Sequence, residues 1–526
     1  MPKVLISDEL SETAVNIFKE RGVDVTYEPM LGKDADKLLK VIGQYDGLAV
    51  RSATKASAAV IAAAKNLKVI GRAGIGVDNI DIPAATAAGI VVMNTPYGNA
   101  ITTAEHAIAM MFSLARQIPQ ANESTHGGKW EKSRFMGVEL FGKTLGLIGC
   151  GNIGGIVADR AIGLKMRVIA YDPYLTDVRA VELGVEKVGL DQILQRSDFI
   201  TLHTPLTDQT RNILSAAALS KTKKGVYIIN CARGGLVDEA ALKAGLDAGR
   251  IAGAALDVYA VEPAKEHPLF GDERVVATPH LGASTSEAQE NVAVQIAEQM
   301  ADYLMRGAVT NALNMPSITA EEAPRLKPFI SLSEYLGRFA GQLTQTSVKA
   351  IEVVYSGGVA KLNTRPMTAA AVAGVLRPML AEVNIVNAPL VAKERGIAIA
   401  ETFRDDAENF ESVIRLRIVT ERQDRSVSGA LFGQTPRIVE IKGVEMEAGF
   451  ADHMLYVTNE DKPGFIGALG ATLGAANVNI ATFNLGRSAP GEDAIALLAV
   501  DDEVSEAVLE KVRELPHVKQ ARALAF

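Results

Sequence analysis

Short apolar runs alternate with stretches of helical spacing along the first hundred residues. KVLISDE, VDVTYEP, GLAVRSA, LKVIGRAG and IVVMNTP predict strands. SETAVNIFKERG and ASAAVIAAAKN lie between them and predict helices. This alternation is that of a parallel sheet. A long helix is expected from about Thr102 to Gln117. A second alternating block runs from Lys143 to Leu281, with strands expected at TLGLIGCG, MRVIAYDP, DFITLHTP, GVYIINCA, IAGAALDV and VVATPHL. STSEAQENVAVQIAEQMADYLMRG follows as one amphipathic helix, with Val292, Ile296, Met300 and Leu304 on its apolar face.

The proline-bearing segment Pro316–Pro328 reads as a linker. Beyond it, Val/Ile-rich strands (KAIEVVYSG, ESVIRLRIVT) mix with alanine-rich helices. From about Ala451 the pattern becomes β-α-β-β-α-β, the ferredoxin-like order. No short-period repeat or low-complexity tract interrupts the chain.

Length and composition narrow the field. At roughly 100–200 residues per domain, the 526 residues predict three or more domains. A chain 48% hydrophobic and 22% charged is neither disordered nor fibrous. A net charge of -8 argues against nucleic acid or an anionic membrane as partner. Any anion site must then be a local basic pocket. The cysteines are two, Cys150 and Cys231, which excludes a disulfide framework and a cysteine-cluster zinc site. No metal is expected. MPKVLISDEL lacks the apolar core of a signal peptide, and charges break every alanine-rich run, so neither secretion nor a membrane span is expected. A cytoplasmic location follows as the expectation.

The first chemistry lies in GCGNIG, Gly149 to Gly154. A lone G-x-G-x-x-G means little in a chain with 46 glycines. Here it follows an apolar strand, opens a helix, and precedes a second strand ending in Asp172. Gly149, Gly151 and Gly154 would let the backbone approach a pyrophosphate at the helix N-terminus. Asp172 would accept bonds from the adenosine ribose hydroxyls and repel a 2′-phosphate, which points to NAD over NADP.

Three further segments follow strands and carry acid, base and cation. NCARGGLVDE holds Arg233, DVYAVEP holds Asp257 and Glu262, and TPHLGASTSEAQ holds His280. Oxidation of a secondary alcohol needs a base for the hydroxyl proton, and imidazole suits this. Glu262 would hold His280 and stabilise its protonated form. Arg233 would grip a substrate carboxylate bidentately and polarise the developing carbonyl. Asp257 is placed to accept a bond from the nicotinamide carboxamide.

These motifs resemble the D-isomer-specific 2-hydroxyacid dehydrogenases over roughly residues 1–310. The resemblance implies an α/β fold of two Rossmann-like doubly wound lobes. It implies a discontinuous substrate lobe (1–98 and 284–315) around an NAD-binding domain (99–283), with the active site in the cleft. It adds Asn152, Ile153, Thr204, Cys231, Ala232, Gly282 and Ala283 to the cofactor contacts, alongside Arg233 and His280. It also implies a homo-oligomer, dimer or tetramer, built on the nucleotide lobe.

VRSATK and GRAGIGVDNID resemble the branch of that family acting on D-3-phosphoglycerate at the entry to serine synthesis. Arg51, Ser52, Gly74 and Gly76 would then meet substrate, with Arg233 and His280. The phosphate needs cations, and Arg72 and the Lys129–Arg134 stretch are candidates, the second from a neighbouring subunit. Trp130 reads as a packing anchor. Residues 317–452 resemble the α+β intervening domain of the long members of this branch. Residues 453–526 resemble an ACT domain, in which Asp461 and Asn479, with Asn459 beside them, would bind L-serine across an interface of paired copies. Two other readings stay open: a hydroxypyruvate or glyoxylate reductase, which usually ends soon after the helix near Arg306, and a non-catalytic NAD-sensing co-regulator.

Overall fold

A computed structural model describes residues 1–407 and 409–526. Four sheets organise it. The first is five-stranded and parallel, in spatial order Asp24–Tyr27, Lys3–Ile6, Gly47–Val50, Val69–Arg72 and Val91–Asn94. The second is seven-stranded and parallel. Its order is Val275–Ala277, Ile251–Leu256, Val226–Asn230, Phe199–Leu202, Thr144–Ile148, Arg167–Tyr171, Glu186–Lys187. The strand order reverses between Thr144–Ile148 and Phe199–Leu202, and that switch point opens a crevice at the carboxyl edge where ligands bind in such sheets.

The chain passes between the first two sheets twice. Helix Ala100–Arg116 packs on the seven-stranded sheet and on helix Asn152–Gly163. Helix Ser286–Arg306 returns to the first sheet, where Val292, Ile296 and Met300 are buried against it. Thr285 caps its start by accepting from the Ala288 amide at 3.2 Å, and Arg21 ties it to the first helix through Glu298 and Asp302.

The segment Pro316–Pro328 is not a free linker. Val309 and Ile318 pair in an antiparallel bridge, and helix Ala323–Leu343 begins within the segment. Proline composition misled here because Pro324 sits in the first turn, where a missing N–H costs nothing. Pro328 gives up one helical bond, offset by the burial of Leu326, Leu332, Leu336 and Phe339.

That helix and Arg365–Leu376 cover one face of a six-stranded sheet, antiparallel except for its edge strand Ala398–Arg404. The fourth sheet has strands His453–Glu460, Ile480–Arg487, Asp493–Val500 and Val518–Ala525, all antiparallel, with helices Phe465–Ala475 and Glu506–Arg513 on one face. Its other face meets helix Ala323–Leu343, where Tyr456 and Phe339 pack edge to face. One cluster of buried apolar side chains thus runs from Val4 and Met300 through Leu326 to Tyr456 and Leu524. No helix among the described residues is long and apolar enough to cross a membrane.

Candidate active site

Because the seven strands are parallel, every segment that follows one emerges at the same edge. GCGNIG, Asp172, Thr204, Arg233, Asp257 and His280 therefore line one crevice. The first sheet presents its own carboxyl edge, carrying Asp8, Arg51 and Gly74, to the opposite side. Contacts across the gap are direct: Arg233 Nε donates to Asp78 Oδ2 at 3.0 Å, and Asn152 Nδ2 donates to Pro96 O at 3.4 Å.

The cradle has the shape a pyrophosphate requires. Gly149 adopts φ 93°, and a Cβ there would lie 2.5 Å from the His203 carbonyl oxygen. Gly154 packs on Gly149, while Gly151 faces open space, so the backbone of the turn and of Asn152 and Ile153 is accessible at the helix start. The first-turn N–H groups there lack intrahelical partners and suit an anion. Thr204 adjoins this turn through its amide. The Asp172 carboxylate braces the turn by accepting from the Cys150 and Tyr174 amides at 2.8 Å each. The residues present therefore fit a dinucleotide.

Glu262 and His280 meet as the sequence suggests, with Oε2 and Nδ1 2.6 Å apart. The carboxylate fixes the proton on Nδ1 and leaves Nε2 for the cleft. The bond to Glu262 raises the His280 pKa above its ordinary 6.5, against the effect of burial and of Arg233. Burial pushes the Glu262 carboxyl up, but the bonds from His280 and from the Tyr259 amide hold it below its ordinary value.

Asp257 binds the loop that carries His280. Its carboxylate is fully buried and accepts from the Leu281 and Gly282 amides and Thr278 Oγ1, with His106 Nε2 3.2 Å away. Its carbonyl oxygen accepts from the His280 amide at 2.9 Å. These bonds hold His280 at φ 57°, an uncommon conformation for a residue with a Cβ. In this conformation Asp257 shapes the histidine loop, and Ala283 continues that loop. The Cys231 thiol is buried in the core, and burial pushes its pKa well up, so Cys231 would border the site through its backbone.

On the opposite lobe, the Arg233 guanidinium rests on the Gly76 backbone, where an added Cβ would fall 1.6 Å from Nη2. Arg72 folds over Gly74 in the same way. Burial, then Arg233 and Arg51, push the Arg72 pKa down to about 10. Among the described residues its Nε finds no hydrogen-bond partner. Arg51, Arg72 and Arg233 thus converge on the cleft. Asp8 accepts from the Arg51 amide at 2.6 Å, and Asn79 donates to Arg51 O, so the loop bearing Arg51 and Ser52 is tied to the one bearing Gly74 and Gly76.

The Lys129–Arg134 stretch lies elsewhere. Arg134 pairs with Glu131 and with Glu273, just before strand Val275–Ala277 and hence at the opposite edge of the sheet from His280. Within its own chain this stretch cannot reach the arginine cluster. Trp130 is 88% exposed and so is no packing anchor within its own chain.

In the fourth sheet, Asp461 and Asn479 lie at opposite ends. Glu460 pairs with Asp493, whereas Ile480 pairs with Val500. A strand's length separates them, about 23 Å at roughly 3.3 Å per residue. Asp461 accepts from Arg487 and the Gly491 amide, and Asn479 donates to Asp501. Asn459 is 2% exposed and donates to its neighbour's carbonyl, so it does not face an effector; strand alternation turns it toward the helices.

Sequence reasoning missed Asp8, Asp78, Asn79, His106, Glu239 and His267. None stands out locally, because each meets its partner only through the fold.

Comparison with known proteins agrees with this architecture. The family profile described as D-isomer specific 2-hydroxyacid dehydrogenase, NAD binding domain, matches residues 108–282. A D-3-phosphoglycerate dehydrogenase intervening domain matches 325–442, and an ACT domain matches 453–517. A glyoxylate reductase from Paecilomyes thermophila superposes with TM-score 0.55 at 31% identity, covering 59% of this chain and 98% of its own. A D-lactate dehydrogenase from Aquifex aeolicus, complexed with NAD and lactic acid, gives 0.53 at 25% identity over 60% of this chain and 100% of its own. Fold and site therefore define an NAD-binding oxidoreductase of the 2-hydroxyacid class. Relatives named D-3-phosphoglycerate dehydrogenase reach further. Those of Archaeoglobus fulgidus (43% identity, 99% of both chains) and Methanocaldococcus jannaschii (42%, 100% of both) match end to end. The chain belongs to the D-3-phosphoglycerate dehydrogenase family.

Proposed function

We propose that the protein oxidises D-3-phosphoglycerate to 3-phosphooxypyruvate with NAD, the first step of phosphorylated serine synthesis. The observation that carries this reading is the convergence of Arg51, Arg72 and Arg233 beside the Glu262–His280 pair. The substrate is a carboxylate bearing a phosphate of charge about -1.5 to -2 at neutral pH. Three guanidiniums in one half-buried cleft match that charge in an otherwise acidic chain.

The roles follow from position. Arg233 holds the substrate carboxylate and polarises the developing carbonyl. Arg72 and Arg51 hold the phosphate. His280 Nε2 takes the C2 hydroxyl proton, and Glu262 stabilises the resulting imidazolium. NAD held in the glycine cradle would supply the acceptor for the hydride from C2. Asp172 would hold the adenosine ribose, and Gly149, Gly151, Asn152, Ile153, Gly154 and Thr204 would line the pyrophosphate. The glyoxylate reductase above covers 59% of the chain, which leaves the intervening and ACT segments without a counterpart under that alternative.

The active protein is proposed to be a cytoplasmic homo-oligomer. Trp130, Met136 and Phe141 are exposed apolar side chains on the nucleotide lobe, suited to cover by a second copy. Serine feedback requires such pairing too, since Asp461 of one copy and Asn479 of another must meet. NADH formation from D-3-phosphoglycerate, with and without serine, tests the reading. Turnover suppressed by serine supports both parts. Turnover indifferent to serine removes the effector site, and no turnover in either direction removes the substrate.

A further inference from the structure

The residue after the VD of NCARGGLVDE has no part in the chemistry above. Glu239 opens helix Glu239–Asp247, and its carboxylate turns back toward the loop that carries Glu262. Oε1 accepts from the Ala260 amide at 2.8 Å. Oε2 meets His267 Nε2 at 2.9 Å. His267 Nδ1 accepts from the Leu269 amide at 3.3 Å, so the ring proton sits on Nε2 and is donated to Glu239. The His267 side chain is 8% exposed and packs between Tyr259 and Phe270, with ring centroids 5.2 and 5.1 Å away.

The same loop is gripped from a second side. A Cβ on Gly234 would lie 1.8 Å from the Tyr259 carbonyl oxygen, so the Arg233 loop lies flush against the Tyr259–Ala260 peptide. Tyr259 OH donates to Leu256 O at 3.1 Å, and its amide donates to Glu262 Oε1 at 3.0 Å. Glu262 reaches His280 from this clamped turn.

We propose that Glu239, backed by His267, is a positioning residue for the acid/base pair. It fixes the Tyr259–Glu262 turn through the Ala260 amide, and so sets how closely Glu262 meets His280. The proposal rests on the catalytic reading of that pair. The groups facing His280 are Glu262, Asp257 and Arg233, and those facing Glu262 are His280 and Asp257. Glu239 acts on His280 through the turn rather than by contact.

The sign of the effect is fixed. Oxidation needs His280 unprotonated, so kcat/KM falls on the acid side of its pKa, and Glu262 raises that pKa. Loosening the turn weakens the pairing and moves the acid limb to lower pH. The test records kcat/KM against pH for full-length wild type, Glu239→Ala, Glu239→Gln, His267→Phe and Glu262→Gln, with thermal melting as the folding control. Glu239→Ala should lower kcat about tenfold and shift the acid limb downward, in the direction of Glu262→Gln. Glu239→Gln keeps an acceptor for the Ala260 amide and should restore most of the wild-type profile. His267→Phe keeps the ring packing but removes the donor, and should give a smaller shift of the same sign. It serves if the alanine variant does not fold. An acid limb unmoved by Glu239→Ala or His267→Phe, while Glu262→Gln moves it, overturns the proposal and leaves the catalytic reading standing. A limb unmoved by Glu262→Gln overturns both.

Discussion

Nδ1 of His280 and Oε2 of Glu262 stand 2.6 Å apart, although the two residues follow different strands of one parallel sheet. This pairing decides what the cleft does. It fixes the imidazole tautomer, raises its pKa and directs Nε2 at the space opposite Arg51, Arg72 and Arg233.

The pairing sets a pH dependence. His280 titrates above 6.5 in the wild type because Glu262 favours the imidazolium. Glu262→Gln should remove that support, move the acid limb of the oxidation profile to lower pH, and reduce kcat by about 10²-fold. Steady-state rates across pH 6–10 check both signs.

Arg233 meets the opposite lobe at Asp78 and Gly76, and its planar fork suits a carboxylate. Arg233→Lys keeps the charge but loses the two-pronged grip. A fall in kcat/KM of about 10²-fold is expected, with NADH affinity little changed. Single-turnover kinetics and NADH titration separate the two.

Arg72 discriminates the phosphate. Arg72→Ala should raise KM for D-3-phosphoglycerate by about 10–10²-fold, the worth of a charge-assisted hydrogen bond. Turnover of unphosphorylated D-glycerate should change little. Equal losses on both substrates would move Arg72 from phosphate binding to general support of the lobe.

The ends of the fourth sheet predict complementation. Asp461→Ala and Asn479→Ala should each abolish serine sensitivity alone. Mixed oligomers of the two variants contain one interface with both side chains intact, and should regain part of the response. Serine titration of refolded mixtures measures it.

Much of this site is legible in the sequence because parallel strands deliver their following residues to one edge. GCGNIG, Arg233, Glu262 and His280 needed only their strands to be recognised. Asp78 and His106 escaped notice because their partners, Arg233 and Asp257, are some 150 residues distant along the chain. Glu239 sat inside a quoted motif, yet its bond to the Ala260 amide exists only once two loops fold together. The segment Pro316–Pro328 misled because proline marks helix starts as well as linkers. Trp130 misled because a lone aromatic says nothing of what the fold brings beside it.

The central claim is that this cleft oxidises D-3-phosphoglycerate with His280 as base. The most direct measurement is NADH formation from NAD and D-3-phosphoglycerate by purified wild type and His280→Ala. The account predicts turnover in the wild type and a loss of at least about 10²-fold in the variant, with NADH binding retained. Equal rates in the two proteins, or no wild-type turnover in either direction, would contradict it.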